Sequence, residues 1–442
     1  MILQPLYEFL KPNESVLVKK IKASVSVRGK IYEEDAEVYL DFLPRAKIHI
    51  YASIPQMVLL KDIETLAIAG KDIPGFATGA TFSSSEGKAE IVWCPKMEPV
   101  IGYGDQNTQM VTVVFHLFNY IDFFGNRNSM EQTEKESHGT KCVIQHSIRH
   151  LDIKTDGWDV ELKTLKTSAD TFKILTETGG YCLTHVGRLQ KEDRTSFDGK
   201  TAEELLTALH FFLSFSRGMW CNPCLAVGFD DKENRVWETW ASPRGHWGSP
   251  SSWFDPHHCE QLANLFPGFM AKWGNEDWRE ALQEVIYWYL NSNCSSLGIG
   301  IGIGAGIILT QTAIERLSFE YAVRHKKLVG ADGFKDLRAS DKFRLLFSSL
   351  DIPIDIPASL PELQGLAKQF KWLDAPHAIT EVRNSLVHPE HKRSGQFDEA
   401  FYPVWNLGQW YLELALLRIC DYSGTYGNRL VQRWIGEVET VP

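Results

Sequence analysis

The chain has 442 residues, 44% hydrophobic and 23% charged, with a formal net charge of -10. Such a length holds two or three domains with ample apolar material for real cores, and the acidity excludes a protein that coats nucleic acid by bulk electrostatics. Residues 297–442 carry 16 Lys and Arg against 17 Asp and Glu, so nearly all of the excess acidity lies before them.

Residues 1–196 read as a β-rich N-terminal domain. Ser24 to Val27, Glu37 to Phe42, Lys47 to Tyr51, Lys88 to Trp93, Val111 to Leu117, Cys142 to Ile153 and Trp158 to Leu162 are strand candidates, several alternating with period two as a half-buried sheet requires. Asp156-Gly157 is a turn before the last of them, and the polar interval Gly125 to Gly139 is expected to be an exposed loop. Many strands and few helical periods predict an antiparallel sheet or sandwich. With no nucleotide-binding fingerprint and no nucleophile elbow, the domain is read as a sensing or docking platform for a trigger or regulator.

Residues 197–256 read as a mixed, Trp-rich bridge. Thr201-Ala202-Glu203-Glu204 has the form of a capping box, and Leu205, Leu206, Leu209, Phe212 and Leu213 supply the apolar face of the helix it opens. Leu225 to Phe229 and Arg235 to Trp240 flank Asp230 to Asn234 as a hairpin. Seven of the 14 tryptophans lie between Trp220 and Trp278; they suit either stacking on bases or, as expected for most, anchoring the core. Cys221, Cys224, His257 and Cys259 have ligand chemistry for zinc, but one CxxC without a second matched pair is weak, and no metal is predicted. Eight cysteines without a disulfide-like array, and a start at Met1-Ile2-Leu3-Gln4-Pro5 lacking a basic segment before an apolar one, predict a cytoplasmic protein.

Residues 257–442 are helical in period. Leu297 to Leu309 is the longest apolar run, 13 residues of which five are Gly, too short to span a bilayer; its alternating Gly and Ile suit close backbone packing better than a phosphate loop, since no Lys-Ser/Thr pair follows. Helices are expected around Phe334 to Leu350, Leu360 to Phe370 and Pro376 to His388, and a long final one through Val404, Leu407, Tyr411, Leu414 and Leu417. The final helix has surplus aromatic surface, which suits a dimer face or closure of its own bundle.

The penultimate helix ends in Glu381-Val382-Arg383-Asn384-Ser385-Leu386-Val387-His388-Pro389. At about 100° per residue Ile379, Val382 and Leu386 share one face, and His377, Glu381, Asn384 and His388 the opposite one. Arg383 lies at the edge of the apolar face, five residues from His388, so convergence needs the long Arg side chain and a last turn opened by Pro389.

Arg383-Asn384-x-x-x-His388 resembles the R-x4-6-H motif of HEPN domains, and the upstream helix with Ala313-Ile314-Glu315-Arg316-Leu317 behind a β-rich part is similar to proteins of bacterial phage-defence type. The likeness spans roughly residues 298–436. It implies an α+β protein whose C-terminal part is a HEPN-like helical bundle acting as a homodimer, with two motifs facing one another. It also implies a metal-independent endoribonuclease, a conditional toxin or antiviral effector cutting RNA to 2′,3′-cyclic phosphate ends without a cofactor. Arg383 would hold the scissile phosphate, His388 would move protons and Asn384 would orient one of them. Glu315 is a candidate partner for Arg383. Arg324 to Lys327 and His391 to Arg393 are basic runs that suit either RNA guidance or a solvated face. Two other readings use the same residues: a non-catalytic RNA- or protein-interaction module, and a metal-dependent hydrolase through His377, Glu381 and His388.

Overall fold

The computed structural model describes residues 2–9, 11–54, 58–83, 87–125, 127–137, 140–165, 168–295, 301–388 and 397–442. Strands β1 (Val16–Val27), β2 (Lys30–Asp41), β3 (Lys47–Ile54), β4 (Ile63–Ile68), β5 (Lys71–Asp72), β6 (Gly75–Ser83) and β7 (Lys88–Pro95) form one antiparallel sheet in the order β5-β4-β1-β2-β3-β7-β6. In β3 the alternation is complete: Ile48, Ile50, Ala52 and Ile54 are buried and the residues between them are half-buried.

A second antiparallel sheet has the order β11-β12-β13-β14-β10-β16-β17-β8. In chain order its region runs β8 (Val100–Tyr103), β9 (Gln109–Met110), β10 (Thr112–Phe118), β11 (Arg127–Ser137), β12 (Thr140–Thr155), β13 (Trp158–Thr164), α1 (Ser168–Thr178), β14 (Leu183–Lys191), β15 (Phe197–Asp198), α2 (Gly199–Arg217), β16 (Pro223–Phe229) and β17 (Arg235–Trp240). The interval Gly125 to Gly139, expected as a loop, is largely strand β11, paired with β12 from Arg127↔His150 to Ser137↔Thr140. β11 is the edge strand, and charged, polar composition is how edges avoid further pairing; that same composition hides the strand in the sequence.

The second sheet is the middle layer. β10 is buried on both faces, as its largely apolar run requires, and the one imidazole within it, His116, is buried too. Val113, Phe115 and Leu117 join the core shared with the helices, while Phe118, with Leu183, Leu225 and Trp240, joins the core of the first sheet. Residues 197–256 serve both layers, giving α2 to the helical side and β16 and β17 to the sheet. Gly187 on β14 faces Phe115 across the pair, and the Phe115 ring occupies the place a Cβ would take. Gly187→Ala is expected to lower stability by about 1–3 kcal/mol through overpacking, read as a fall in the urea midpoint.

The helical layer comprises α3 (Glu260–Trp273), α4 (Glu276–Ser295), α5 (Ile301–Phe319), continued by a π-helical turn Glu320–His325, α6 (Ala331–Asp336), α7 (Ala339–Ser349), α8 (Pro361–Phe370), α9 (Ala375–Val387) and α10 (Phe401–Ile419), before a tail with β18 (Thr425–Tyr426) and β19 (Glu439–Thr440). Two expectations are corrected, and an alternative left open for α10 is decided. The helix around Phe334 to Leu350 is two, because Leu337 and Arg338 are extended. The start of α2 is capped not by Thr201 but by Asp198, whose carboxylate accepts from the Thr201 N–H at 2.9 Å. The aromatic surplus of α10 is spent inside its own chain: Pro403 to Leu417 are all buried, and Tyr402 alone of its large apolar residues stays outside, 58% exposed. Trp237, Trp240, Trp253, Trp273 and Trp278 are likewise buried in the core, while Trp220 and Trp247 are half-buried. No helix among the described residues is long and apolar enough to cross a membrane.

Candidate functional site at the end of helix α9

Helix α9 is fixed at both ends by its sequence. Asp374 is its N-cap, accepting from the His377 N–H at 2.9 Å, and the same carboxylate takes two bonds from Arg344 on α7, 2.5 Å from Nε and 2.9 Å from Nη2. Pro376 fits the first turn, where its missing N–H is no loss. Asp374→Ala is expected to cost about 2–3 kcal/mol, the cap together with a charged hydrogen bond, and Asp374→Asn less because it still caps; thermal melts of the two variants check this.

Ala375, Ala378, Ile379 and Val382 are buried against the bundle. Gly304 on α5 makes ordinary contact with Leu386, at 3.5 Å from its built Cβ position, and Gly306 lies where a Cβ would stand 2.9 Å from the Trp405 ring. The Gly and Ile alternation thus works as close packing of α5 against its neighbours, for the residues of it that are described.

At the C-terminal end Asn384 is the link between the two predicted reactive groups. Its side-chain oxygen accepts from Arg383 Nη1 at 3.4 Å, and its backbone carbonyl accepts from the His388 N–H at 3.0 Å. His388 has left the helix (φ -106°, ψ 113°) and is exposed. Arg383 is half-buried, its Nε is buried without a hydrogen-bond partner, and among the described residues no carboxylate lies within ion-pair distance of it. Glu315, the candidate partner, accepts instead from Gln311 at 3.1 Å. Pro389 and the run His391 to Arg393 lie outside the described residues. Of the other basic run, Arg324 is held by Glu320 and Asp277, at 3.3 and 3.1 Å.

The metal readings do not fit the geometry. Among the described residues no three His, Cys, Asp or Glu side chains come together as a ligand set. His377 Nδ1 is used as acceptor for the Leu373 N–H at 3.1 Å. Cys221 lies against the Phe118 carbonyl, Cys224 against the Asn222 carbonyl and His257 edge-on to Phe124. Burial pushes the Cys221 thiol up to about 12, Cys259 to about 11 and Cys224 well above the usual range.

A polar seam behind this end of the bundle was not read from the sequence. Ser292 on α4 donates to the Gly306 carbonyl at 2.8 Å and accepts from Trp405 Nε1 and Gln409 Nε2 on α10 at 3.0 and 2.5 Å. One helical turn further along α10, Glu413 accepts from the Tyr289 hydroxyl at 2.6 Å and lies 3.8 Å from Arg429 Nε, both ions fully buried. The available signal was a lone acid within Tyr411-Leu412-Glu413-Leu414. Burial, only partly offset by Arg429, raises the Glu413 carboxyl above the ordinary range.

These features define an α+β protein with two antiparallel sheets and a helical bundle, whose candidate site is an arginine, asparagine and histidine set where one bundle helix ends. Residues 275–440 match the model of the YopA C-terminal domain, and residues 105–249 that of the YopA central domain. The chain is 27% identical over 432 residues, 95% of its length and 92% of the relative's, to the SPbeta prophage-derived uncharacterized protein YopA of Bacillus subtilis (strain 168). No solved structure gives a significant match. The C-terminal match begins at the first turn of α4 and contains the whole α9 site.

Proposed function

We propose that the protein is a metal-independent endoribonuclease of HEPN type that acts as a conditional toxin or antiviral effector, with Arg383, Asn384 and His388 as its site. The observation that carries the reading is Arg383: a guanidinium with a buried Nε and, among the described residues, no acid to neutralise it is a costly group to keep, and a phosphate is the ligand that satisfies it bidentately. Asn384 couples it to the exit of His388 from the helix. His388 then acts as base toward the ribose 2′-OH or as acid toward the leaving 5′ oxygen, and Arg383 stabilises charge on the phosphate. Within one chain Arg383 bonds to Asn384 rather than to His388, so this mechanism draws on a second copy whose motif faces the first. That the relative carries a prophage origin in its name accords with a role in conflict between phage and host.

The same separation of Arg383 from His388 favours a second reading, a non-catalytic interaction module in which Arg383 receives an anionic partner. The deciding experiment incubates purified protein with total RNA beside His388→Ala, with and without EDTA, and analyses product ends. Cyclic phosphates that vanish in the variant and persist in EDTA are the expected result; intact RNA with the wild-type protein leaves the interaction module.

A further inference from the structure

A second arginine, far from α9 in sequence, is held ready in the same unpaired way. Arg244 follows β17, and its backbone N–H donates to Asn222 Oδ1 at 2.9 Å. The next residue is a glycine because the Trp220 carbonyl fills the place of a Cβ at Gly245. The guanidinium is aimed by His210 on α2. His210 Nδ1 donates to the Cys221 carbonyl at 3.0 Å, which leaves Nε2 as acceptor for Arg244 Nη1 at 3.4 Å. Burial lowers His210 to about 4, so near neutral pH it orients the arginine without repelling it.

Arg244 is exposed, and among the described residues no carboxylate lies within ion-pair distance of it. The acids that line these hollows have partners of their own: Glu284 accepts from Arg316 Nε at 2.7 Å, Glu98 from Ser242 and from the Ile48 N–H, and Glu203 from Gln106 Nε2 at 3.4 Å. The arginine borders a cleft of about 570 Å³ whose other walls are Phe211, Trp220, Gln283, Glu284, Tyr287 and Trp288, and it also borders a second hollow of about 350 Å³. Trp220 is stacked on His210, ring centres 5.2 Å apart and planes at 27°, and stands 6.0 Å from Tyr287. The volume is that of a small-molecule site, for which about 300–1,000 Å³ is usual. Flat rings beside a fixed, planar, unneutralised cation match a ligand that is itself a flat ring carrying an anion.

We propose that this cleft binds a nucleoside monophosphate, its base against Trp220 and Tyr287 and its phosphate on Arg244. The site shares no residue with the α9 set and stands or falls separately from the nuclease reading.

The test titrates the full-length protein with 2-aminopurine riboside 5′-monophosphate, whose fluorescence is quenched on stacking. Saturable quenching is expected, weakened about tenfold or more both by Arg244→Gln and by Tyr287→Ala. Tyr287 is 52% exposed, so its variant keeps the fold, and thermal melts of both variants verify this. The unphosphorylated riboside is expected to bind at least about tenfold more weakly and to be indifferent to Arg244→Gln. Arg383→Ala is expected to bind the probe as the wild type does. Absence of saturable quenching, wild-type affinity in either cleft variant with unchanged melts, or equal binding of the unphosphorylated riboside overturns the proposal. Binding of a short oligoribonucleotide where the mononucleotide fails overturns the assignment to a free nucleotide.

Discussion

Replacing Arg383 by alanine is expected to lower RNA cleavage by about 10²–10³-fold, and replacing His388 by about 10²–10⁴-fold, while neither variant melts earlier than the wild type. The combination separates a functional from a structural role. Among the described residues Arg383 has no acid beside it, and its Nε is buried without a partner, so its removal leaves no orphaned carboxylate there and relieves an unsatisfied donor. Stability should hold or rise by about 1 kcal/mol. His388 is exposed beyond the end of α9, where side-chain loss costs little. Cleavage assays on labelled RNA and melts on the same preparations give both readouts. Cleavage undiminished in either variant removes that residue from the site; a large drop in melting temperature for Arg383→Ala makes it a bundle residue instead.

The largest stability effect is expected at the buried pair of Glu413 and Arg429. Arg429→Met leaves a fully buried carboxylate without its nearest cation, and breaking such a pair from one side costs about 3–5 kcal/mol. Glu413→Gln keeps an oxygen for the Tyr289 hydroxyl and should cost less. The pair also sets a pH dependence. Burial raises the Glu413 carboxyl, and Arg429 at 3.8 Å offsets this only in part. A raised folded value means that the native state keeps the proton where the unfolded chain has released it. The stabilisation from Glu413 is therefore fully present below the unfolded Glu value of about 4.3 and is lost as pH rises through the raised folded value. Urea midpoints measured across that range should fall more steeply for the wild type than for Glu413→Gln. Parallel curves for the two proteins contradict the assignment.

The fold was legible where one physical signal dominated. β3 alternates cleanly, β10 is mostly apolar and doubly buried, and α10 carries a wide apolar surface broken by few polar residues; each is legible as the correct element from its own residues. β11 was missed because an edge strand is polar for the same reason that a loop is. The break at Leu337 and Arg338 was missed because neither residue is a helix breaker and the apolar spacing continues across it. The α2 cap went to the wrong residue because Asp198 and Thr201 both have capping chemistry, and only the approach of β15 selects one.

The candidate site divides in the same way. The sequence by itself determined which chemistry is present at the end of α9, a cation, an amide and an imidazole after an apolar helical stripe, because side-chain identity and helical period are local properties. Whether Arg383 has an acid beside it, that α10 turns its aromatic face inward, that four potential zinc ligands do not gather into one set, and that Arg244 is aimed into an aromatic cleft were decided by the tertiary structure alone. Each depends on groups tens to hundreds of residues apart in the chain, and no local spacing encodes which of the many possible partners burial will bring together.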